Sequence, residues 1–231
     1  MKIALLGYGK MGHEVERVAL TRNHTILFKI DNEDDWQAGL KAGLKVDAAI
    51  DFSTPSNVVS NIERCFDLHL PVVVGTTGWN ADVARLKERC IKENLSLIHS
   101  SNFSIGVYLF IKAAKFLAEK MPPQYVPSIT ETHHIHKLDK PSGTALTLRA
   151  EAFGNTATNA AGAYTAEKVP VKSIREGEVN GIHSLRFVSD EDEIILQHTA
   201  YSRVGFALGA VKAAEWLAGR RGWFTMDDML G

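Results

Sequence analysis

The residues best suited to do chemistry lie in one short stretch, Glu131 to Ala145. Between His133 and Lys140 it holds three histidines and two lysines, in a chain whose formal net charge is only -1. Lysine and protonated histidine attract anions, and either can give a proton to a carbon or nitrogen atom that has just received a hydride. The stretch therefore predicts a site that binds a small dianion and protonates it during a reduction.

The same stretch leads into a predicted helix whose start suits a carboxylate. Pro141 disfavours helix in the residue before it, so the helical run Thr144 to Ala152 should begin near Ser142 or Gly143. Ser142 and Thr144 are good capping residues, and the backbone N–H groups of a helix start attract anions. A solvated charged loop would not need this Ser-Gly-Thr start.

A metal site is the alternative for this cluster, because imidazole and carboxylate groups are common zinc ligands. On an extended chain His134 and His136 share a face, whereas His133 points the other way. A histidine pair with a distant carboxylate such as Glu131 stays open on this pattern, but we expect no metal.

A second motif, Gly7 to Gly12, follows an apolar segment and opens a helical one. Its G-x-G-x-x-G pattern permits a tight turn, close approach of the backbone to a pyrophosphate, and close packing of helix on strand. Asp31 ends the next predicted strand, where a carboxylate binds the ribose hydroxyls of a dinucleotide. The cofactor-binding residues predicted from this motif are Gly7, Tyr8, Gly9, Lys10, Met11, Gly12 and Asp31.

The position of Asp31 also bears on which nicotinamide cofactor binds. Its carboxylate would repel the 2′-phosphate of NADPH, and none of the four residues after it is basic. Lys29 shares its strand face and can partly compensate. We therefore expect NADH to be preferred and NADPH to be tolerated.

The chain around these motifs changes character after Ser100. Before it, short apolar strands alternate with helices, which predicts a parallel sheet with helices on both faces. After it, strand-like segments follow one another in the pattern of an open antiparallel or mixed sheet. The predicted strands are 3–6, 26–30, 48–52, 72–74, 95–99, 128–133, 182–188 and 193–200. The predicted helices outside 144–152 are 11–20, 57–69, 81–93, 105–120 and 206–217, and residues 154–162 should form a loop.

Composition narrows the class of protein. A hydrophobic fraction of 45% and a charged fraction of 23% are typical of a globular enzyme. The near-zero net charge argues against a nucleic-acid partner, and no apolar run approaches a membrane span. The apolar start, Met1 to Gly7, is too short for a signal peptide. Cys65 and Cys90 are too few for a disulfide framework and fit inert thiols in a reducing compartment. We expect a cytoplasmic protein without a membrane partner.

On these motifs the chain resembles the dihydrodipicolinate reductase family. The family signature E-x-H-H-x-x-K-x-D-x-P-S-G-T-A is matched throughout Glu131 to Ala145. The similarity covers nearly the whole chain, and it includes Gly7–Gly12, Ile50–Ser53, Val74–Gly78, Ser101–Gly106, Arg175–Glu178, Gly181–His183 and Ser202–Ala207. The stretch between Asp31 and Ala48 is shorter than in many members, so we expect a strand or helix to be missing there.

The resemblance implies an α/β protein with two domains. A Rossmann-type parallel-sheet domain would comprise residues 1–103 with 204–231. An α+β domain at 104–203 would bind substrate and build a homotetramer through an open mixed sheet.

The resemblance also assigns roles to residues. It makes His133 the catalytic acid/base and Lys137 the proton donor, and it places Arg203 near the crossover between domains. The predicted substrate-binding residues are His134, Ser142, Gly143 and Thr144. The further cofactor-lining residues are Gly75, Thr76, Thr77, Ser100, Ser101, Asn102 and Phe103.

The implied activity is the NAD(P)H-dependent reduction of 4-hydroxy-tetrahydrodipicolinate, with loss of water, in lysine and diaminopimelate biosynthesis. The substrate partner would then be a small cyclic dicarboxylate. A semialdehyde dehydrogenase is one alternative, but it needs a nucleophilic cysteine on a strand-end loop, and neither cysteine lies on one. A non-catalytic nucleotide sensor is another, although it would leave the histidine–lysine cluster unexplained.

Overall fold

The computed structural model describes residues 1–43, 45–154 and 164–231, and these form two compact units. Unit 1 comprises Met1–Ser104 and Val204–Gly231, and unit 2 comprises Ile105–Arg203. The boundary expected from the sequence falls one residue earlier, after Phe103. Apart from Gly154, the loop predicted at 154–162 lies outside the described residues.

In unit 1 strands alternate with helices, as the sequence predicts. In unit 2 most strands follow one another, which is the change of pattern expected after Ser100. In chain order the elements are β1 (Lys2–Leu6), α1 (Lys10–Thr21), β2 (Thr25–Ile30), α2 (Glu33–Lys41), β3 (Ala48–Asp51), α3 (Val58–Asp67), β4 (Val72–Val74), α4 (Val83–Lys92), β5 (Ser96–His99), α5 (Ile105–Lys120), β6 (Val126–His133), α6 (Gly143–Phe153), β7 (Val171–Arg175), β8 (Ile182–Val188), β9 (Glu193–Thr199), α7 (Val204–Leu217), β10 (Gly222–Phe224) and α8 (Met226–Leu230).

Unit 1 is a six-stranded parallel sheet in the order β10-β5-β4-β3-β1-β2. Its central strands are apolar and buried along most of their length, as expected when helices cover both faces. The chain winds outward in opposite directions from β1 and β3. The carboxyl ends of these two strands therefore form the crevice where ligands bind in sheets of this kind.

Unit 2 is a four-stranded mixed sheet in the order β7-β6-β8-β9. The pair β6–β7 is parallel, and β6–β8 and β8–β9 are antiparallel. One face packs against α5 and α6 around a core that includes Phe110, Ile129, Leu148, Leu185 and Phe187. The predicted fold class, a Rossmann-type sheet with a second, open mixed sheet, is confirmed.

Several elements were not expected from the sequence. The segment between Asp31 and Ala48, where an element was expected to be missing, contains the helix α2. This helix begins with a capping box formed by Asn32 and Asp35. The strands β7 and β10 are short and lie at sheet edges, so their sequences show little periodicity. Of the helices described, none is both long and apolar enough to span a membrane.

The helix α7 approaches the loop after β5 very closely. A Cβ atom added at Gly209 would lie 1.7 Å from the carbonyl oxygen of Phe103, whereas one at Gly205 would lie 3.6 Å from the Ser104 hydroxyl. Only glycine at position 209 allows this contact between helix and backbone.

Gly209→Ala should therefore destabilise the protein, although alanine usually favours a helix by about 1 kcal/mol over glycine. We expect a loss of at least about 2 kcal/mol of unfolding free energy, the scale of an overpacked core. Gly205→Ala in the same helix is the matched control and should be neutral or stabilising. Urea unfolding of both variants tests this, and equal stability of the two would contradict the close approach.

Candidate active site

The helix-covered face of the unit 2 sheet changes from apolar to polar toward the end of β6. Strand register places Glu131 between Ser173 of β7 and His183 of β8, and it places His133 beside Arg175. Alternate residues of a strand share a face, so these side chains converge at one end of the sheet. We call Glu131, His133, Arg175 and His183 the buried polar cluster.

Glu131 is the anion at the centre of this cluster and is fully buried. One carboxylate oxygen accepts a hydrogen bond from Arg175 Nη1 at 3.0 Å, and the other is bonded to Nδ1 of His133. Burial alone would raise the pKa of Glu131, but hydrogen bonds from Ser173, Arg175 and His133 outweigh it and hold the pKa below its usual value. The ionised carboxylate therefore keeps the proton of neutral His133 on Nδ1 and leaves Nε2 as the reactive nitrogen.

The two buried histidines are held in the neutral form. Burial lowers the pKa of His133, and the Glu131 carboxylate only partly opposes this. Burial lowers the pKa of His183 further, to about 4, and the neighbouring His133 adds to the shift. Their rings stand edge to face with centroids 5.0 Å apart.

Arg175 connects the cluster to the loop that carries Lys137. Its Nε donates to the carbonyl of Lys137 at 3.2 Å, and its Nη2 donates to the carbonyl of Asp139 at 2.6 Å. The Lys137 ammonium group lies 2.8 Å from the Asp139 carboxylate, and the Lys137 side chain is half-buried. The guanidinium that neutralises Glu131 thus also shapes the lysine loop.

The helix α6 begins at Gly143, as its sequence predicts. Ser142 is the N-cap, and its hydroxyl accepts from Ala145 N at 3.2 Å and lies 3.0 Å from Nε2 of His183. A Cβ atom at Gly143 would meet no described atom within 4 Å, so the helix start faces open space. Thr144 follows on the first turn, where backbone N–H groups attract an anion.

The other histidines of the motif lie apart from this cluster. The ring nitrogen Nδ1 of His134 is buried and has no hydrogen-bond partner among the described residues. His136 is exposed and lies 3.6 Å from Glu178. The rings of His134 and His136 have centroids 6.1 Å apart, and neither histidine belongs to the group of possible metal ligands found among the described residues.

A different trio could hold a metal ion. Glu131, His133 and His183 place their ligand atoms within 4.8 Å of one another. The Glu131 carboxylate, however, already neutralises Arg175 and orients His133. A divalent cation would have to displace that guanidinium, so the arrangement suits an anionic substrate better than a metal.

In unit 1 the glycine motif forms a cradle at the start of α1. Gly7 has φ +88°, and a Cβ atom there would lie 2.5 Å from the Phe52 carbonyl oxygen. A Cβ atom at Gly12 would lie 2.4 Å from the Gly7 carbonyl, whereas one at Gly9 would enter open space. This is the shape that a dinucleotide pyrophosphate requires: two glycines for packing and one for approach. Lys10 is exposed, and Tyr8 and Met11 are half-buried beside it.

Asp31 lies at the cradle, as its position in the sequence suggests. Its carboxylate accepts from the backbone N–H of Tyr8 at 2.5 Å. Lys29 does not compensate Asp31, contrary to the expectation from strand parity. Its ammonium group lies 2.8 Å from Glu16 and donates to the Tyr8 hydroxyl at 2.8 Å, because β2 packs beside α1.

The loops after β3 and β4 are joined through Asp51. This fully buried carboxylate accepts from the Ser53 backbone, from the hydroxyls of Ser53 and Thr76, and from the Asn61 amide at 2.6–3.0 Å. Thr76 therefore turns inward, while Thr77 is exposed. A Cβ atom at Gly75 would lie 2.1 Å from the Phe52 ring.

The loop after β5 carries the remaining predicted cofactor residues. The Ser100 hydroxyl donates to the Asn102 carbonyl at 2.8 Å, and Ser101 is exposed. Phe103 is buried edge-on against Phe52, so its ring belongs to the core. Arg203 is exposed at the end of unit 2.

The cysteines are inert, as expected. Cys65 and Cys90 are both buried in helices of unit 1. Burial raises the pKa of the Cys65 thiol and raises that of Cys90 to about 11. Neither can serve as the nucleophile that a semialdehyde dehydrogenase needs.

The parallel sheet, the glycine cradle and the carboxylate after β2 define the class of the protein as a nicotinamide-dependent oxidoreductase. The family model for the dihydrodipicolinate reductase N-terminus matches residues 1–103, and the model for the C-terminus matches residues 106–230. The chain belongs to the dihydrodipicolinate reductase family, which confirms the resemblance found in the sequence.

Individual proteins are similar to this chain to different degrees. A 4-hydroxy-tetrahydrodipicolinate reductase from Christiangramia forsetii is 43% identical over 235 residues, covering 100% of this chain and 98% of the relative. The dipicolinate-bound dihydrodipicolinate reductase of Paenisporosarcina sp. TG-14 shares the fold, with TM-score 0.83, 22% identity, and coverage of 100% of this chain and 99% of that one. An aspartate semialdehyde dehydrogenase II from Vibrio cholerae shares it more loosely, with TM-score 0.56, 12% identity, and coverage of 94% and 97%.

The neutral, buried state of His183 predicts a pH dependence of stability. Its pKa is lowered from 6.5 to about 4 in the folded protein, so the unfolded chain binds more protons in that interval. The unfolding free energy should therefore fall as the pH drops from about 6.5 to about 4, and His183 should contribute up to about 3 kcal/mol of that fall.

His183→Asn should flatten the profile, and His136→Gln, an exposed histidine, should keep the parent slope. Denaturant unfolding at a series of pH values measures both. An unchanged slope in His183→Asn would mean that this histidine is not held neutral.

Proposed function

We propose that this chain reduces 4-hydroxy-tetrahydrodipicolinate to tetrahydrodipicolinate, with loss of water, in lysine and diaminopimelate biosynthesis. One observation carries the proposal. Among the described residues of unit 2, a neutral buried histidine (His133) and a half-buried lysine (Lys137) accompany an open helix start at Gly143. Family membership supports the same reaction. The substrate is then a small cyclic dicarboxylate.

The two ends of this arrangement suit two carboxylates. The N–H groups at the start of α6, with Gly143 and Thr144, offer hydrogen bonds to one carboxylate. Lys137 offers a positive charge to the other carboxylate; Asp139 pairs with its ammonium group, and Arg175 donates to its backbone carbonyl. We propose that His134 also contacts the ring or its carboxylate, as the family resemblance implies; among the described residues its buried Nδ1 has no hydrogen-bond partner.

The protein's chemical task is proton transfer. The bound nicotinamide supplies the hydride, and the reduced ring must then gain a proton. His133 acts as the acid/base through Nε2, and Lys137 donates the proton. An arriving dianion raises the proton affinity of His133, which offsets the lowered pKa of this group in the free protein.

The cofactor side of the proposal rests on unit 1. Gly7, Gly9 and Gly12 receive the pyrophosphate at the start of α1, and Asp31 receives the ribose hydroxyls. The exposed residues of the loops after β4 and β5 line the nicotinamide end. The Asp31 carboxylate favours NADH over NADPH, because a 2′-phosphate would lie beside it.

The remaining parts of the proposal concern assembly and location. The face of the unit 2 sheet opposite α5 and α6 carries small and polar residues, such as Thr130, Ser184 and Gln197, that no described helix of the unit covers. We propose that this face pairs with other copies to build a homotetramer. We also propose a cytoplasmic protein without nucleic-acid or membrane partners.

A nucleotide sensor without catalysis is the second candidate, because the cradle alone would serve it. The loss of NADH absorbance with the cyclic substrate separates the two functions. Turnover that disappears on chelation and returns with a divalent ion would instead assign a metal to Glu131, His133 and His183.

The catalytic pair gives the sharpest kinetic test. His133→Ala and Lys137→Ala should each lower turnover by about 10²–10⁴-fold, the usual contribution of a general acid. Affinity for NADH should stay near that of the parent, because neither residue belongs to the cradle. Lys172→Ala, an exposed lysine of β7, is the control and should keep full activity. The assignment is falsified if both variants stay within a few-fold of the parent.

The start of α6 can be tested with an inhibitor. Thr144→Val should weaken the binding of pyridine-2,6-dicarboxylate by about 1.5–3 kcal/mol, the scale of a hydrogen bond to a charged acceptor. A bulky residue at Gly143 should weaken it further, because its side chain would enter the open space there. Thr147→Val, exposed on the same helix, is the control. If calorimetric titration gives equal affinities for all four proteins, the carboxylate binds elsewhere.

A further inference from the structure

A cavity of about 200 Å³ lies at the carboxyl end of β2, between α2 and α3. Its lining includes Asp31, Glu33, Trp36, Asn57, Asn61 and Arg64. Because Asp31 receives the ribose under the proposed function, this cavity is the place for the adenosine end of the cofactor. Among its described lining residues, Arg64 is the one cation.

Arg64 is held in place from two sides. Its Nη2 lies 2.5 Å from a carboxylate oxygen of Glu33, and its guanidinium carbon lies 5.4 Å from the centre of the Trp36 ring. Trp36 is itself buried, and its Nε1 donates to Asn61 at 3.1 Å. The guanidinium therefore packs against an aromatic ring that belongs to the core of unit 1.

Glu33 has a second hydrogen-bond partner besides Arg64. Its second carboxylate oxygen accepts from the Gln37 amide at 2.9 Å, one helical turn further along α2. Hydrogen bonds from Gln37 and Arg64 hold the pKa of Glu33 below its usual value, so it is ionised at neutral pH. The cavity thus has two carboxylates, Asp31 and Glu33, and one guanidinium that is already neutralised.

We propose that the Glu33–Arg64 ion pair sets cofactor choice: Arg64 is a latent binding group for a nucleotide 2′-phosphate, and Glu33 occupies it. The inference rests on the proposed function, in that it takes this cavity as the adenosine site. Arg64 then takes the place of Lys29 as the cation that could offset the negative charge of Asp31, because Lys29 is paired with Glu16.

The physical basis is the competition of two anions for one guanidinium. Arginine binds phosphate through two parallel hydrogen bonds, and a phosphate monoester carries more charge than a carboxylate. With Glu33 present, a 2′-phosphate must displace it and also lie beside two carboxylates. Without the Glu33 charge, the guanidinium is free and one repulsion is removed. Glu33 is more than half exposed, so its removal leaves the core untouched.

The test is the binding of NADH and NADPH by calorimetry at low salt, in the parent and in three variants. Glu33→Gln should strengthen NADPH binding by about ten-fold or more, the scale of one charge contact near a protein surface, and change NADH binding by less than about three-fold. Arg64→Gln should weaken NADPH, and Glu33→Gln with Arg64→Gln should lose the gain. The gain should also shrink at high salt, because both groups are near the surface.

Glu63→Gln is the matched control, because it breaks another surface ion pair of α3, that between Glu63 and Arg85 at 2.6 Å. It should leave both affinities unchanged. Thermal melts establish that each variant is folded, and adenosine 2′,5′-bisphosphate against 5′-AMP repeats the comparison with the adenosine end alone.

Two results would overturn the inference alone. If NADH binds normally but Glu33→Gln keeps the parent's ratio of affinities, the ion pair does not set cofactor choice, and the proposed function stands. If the double variant keeps the gain, the removed charge acts without Arg64. Failure of the parent to bind either cofactor would instead overturn the proposed cofactor site together with this inference.

Discussion

The ion pair between the buried Glu131 carboxylate and Arg175 is the interaction on which the buried polar cluster depends. An ionised carboxylate inside a protein is very costly unless charged and hydrogen-bonding partners surround it. Here one oxygen is bonded to Arg175 and the other to His133. Arg175 then donates to the carbonyls of Lys137 and Asp139. The requirement to neutralise one anion therefore fixes the tautomer of the histidine and the shape of the lysine loop.

Unit 1 also contains a buried carboxylate, but all the hydrogen-bond partners described for it are neutral. Asp51 accepts hydrogen bonds from Ser53, Asn61 and Thr76, and burial raises its pKa. Glu131 has a guanidinium beside it, and its pKa is lowered instead. The difference follows from their surroundings. Asp51 ties the loops after β3 and β4 to α3 through hydrogen bonds from neutral groups, whereas Glu131 lies beside a guanidinium that stabilises its charge.

The parts of this structure that the sequence predicts are those that local chemistry encodes. The glycine motif, the strand that leads to Asp31 and the helix start after Pro141 each depend on neighbours within a few residues. The exact motif match also identified the family. The Asn32–Asp35 capping box was a local signal too, and it could have revealed α2 in the segment read as shortened.

What the sequence did not predict depends on strand register. Glu131 and His133 are two residues apart on a strand, which indicates a shared face, but Arg175 and His183 are more than 40 positions away. Only the pairing of β6 with β7 and β8 brings them to the same end of the sheet. Lys29 is the converse case. Its spacing from Asp31 predicts a shared strand face, but packing of β2 beside α1 gives it Glu16 as a partner.

The two candidate sites, one in each unit, differ in how exposed their charges are. Glu131 and Arg175 are almost wholly buried, so their mutual attraction is little screened by solvent, and removing one leaves a buried charge. Glu33 and Arg64 are exposed to solvent by 57% and 35% of their side chains, so their pairing is weak and easily exchanged. If the cavity beside Asp31 binds adenosine as proposed, substitutions around it should alter which nucleotide binds without disturbing the buried polar cluster. A substitution in that cluster must keep both the Glu131 carboxylate and the Arg175 guanidinium. The cluster should therefore tolerate fewer substitutions than the exposed pair of Glu33 and Arg64.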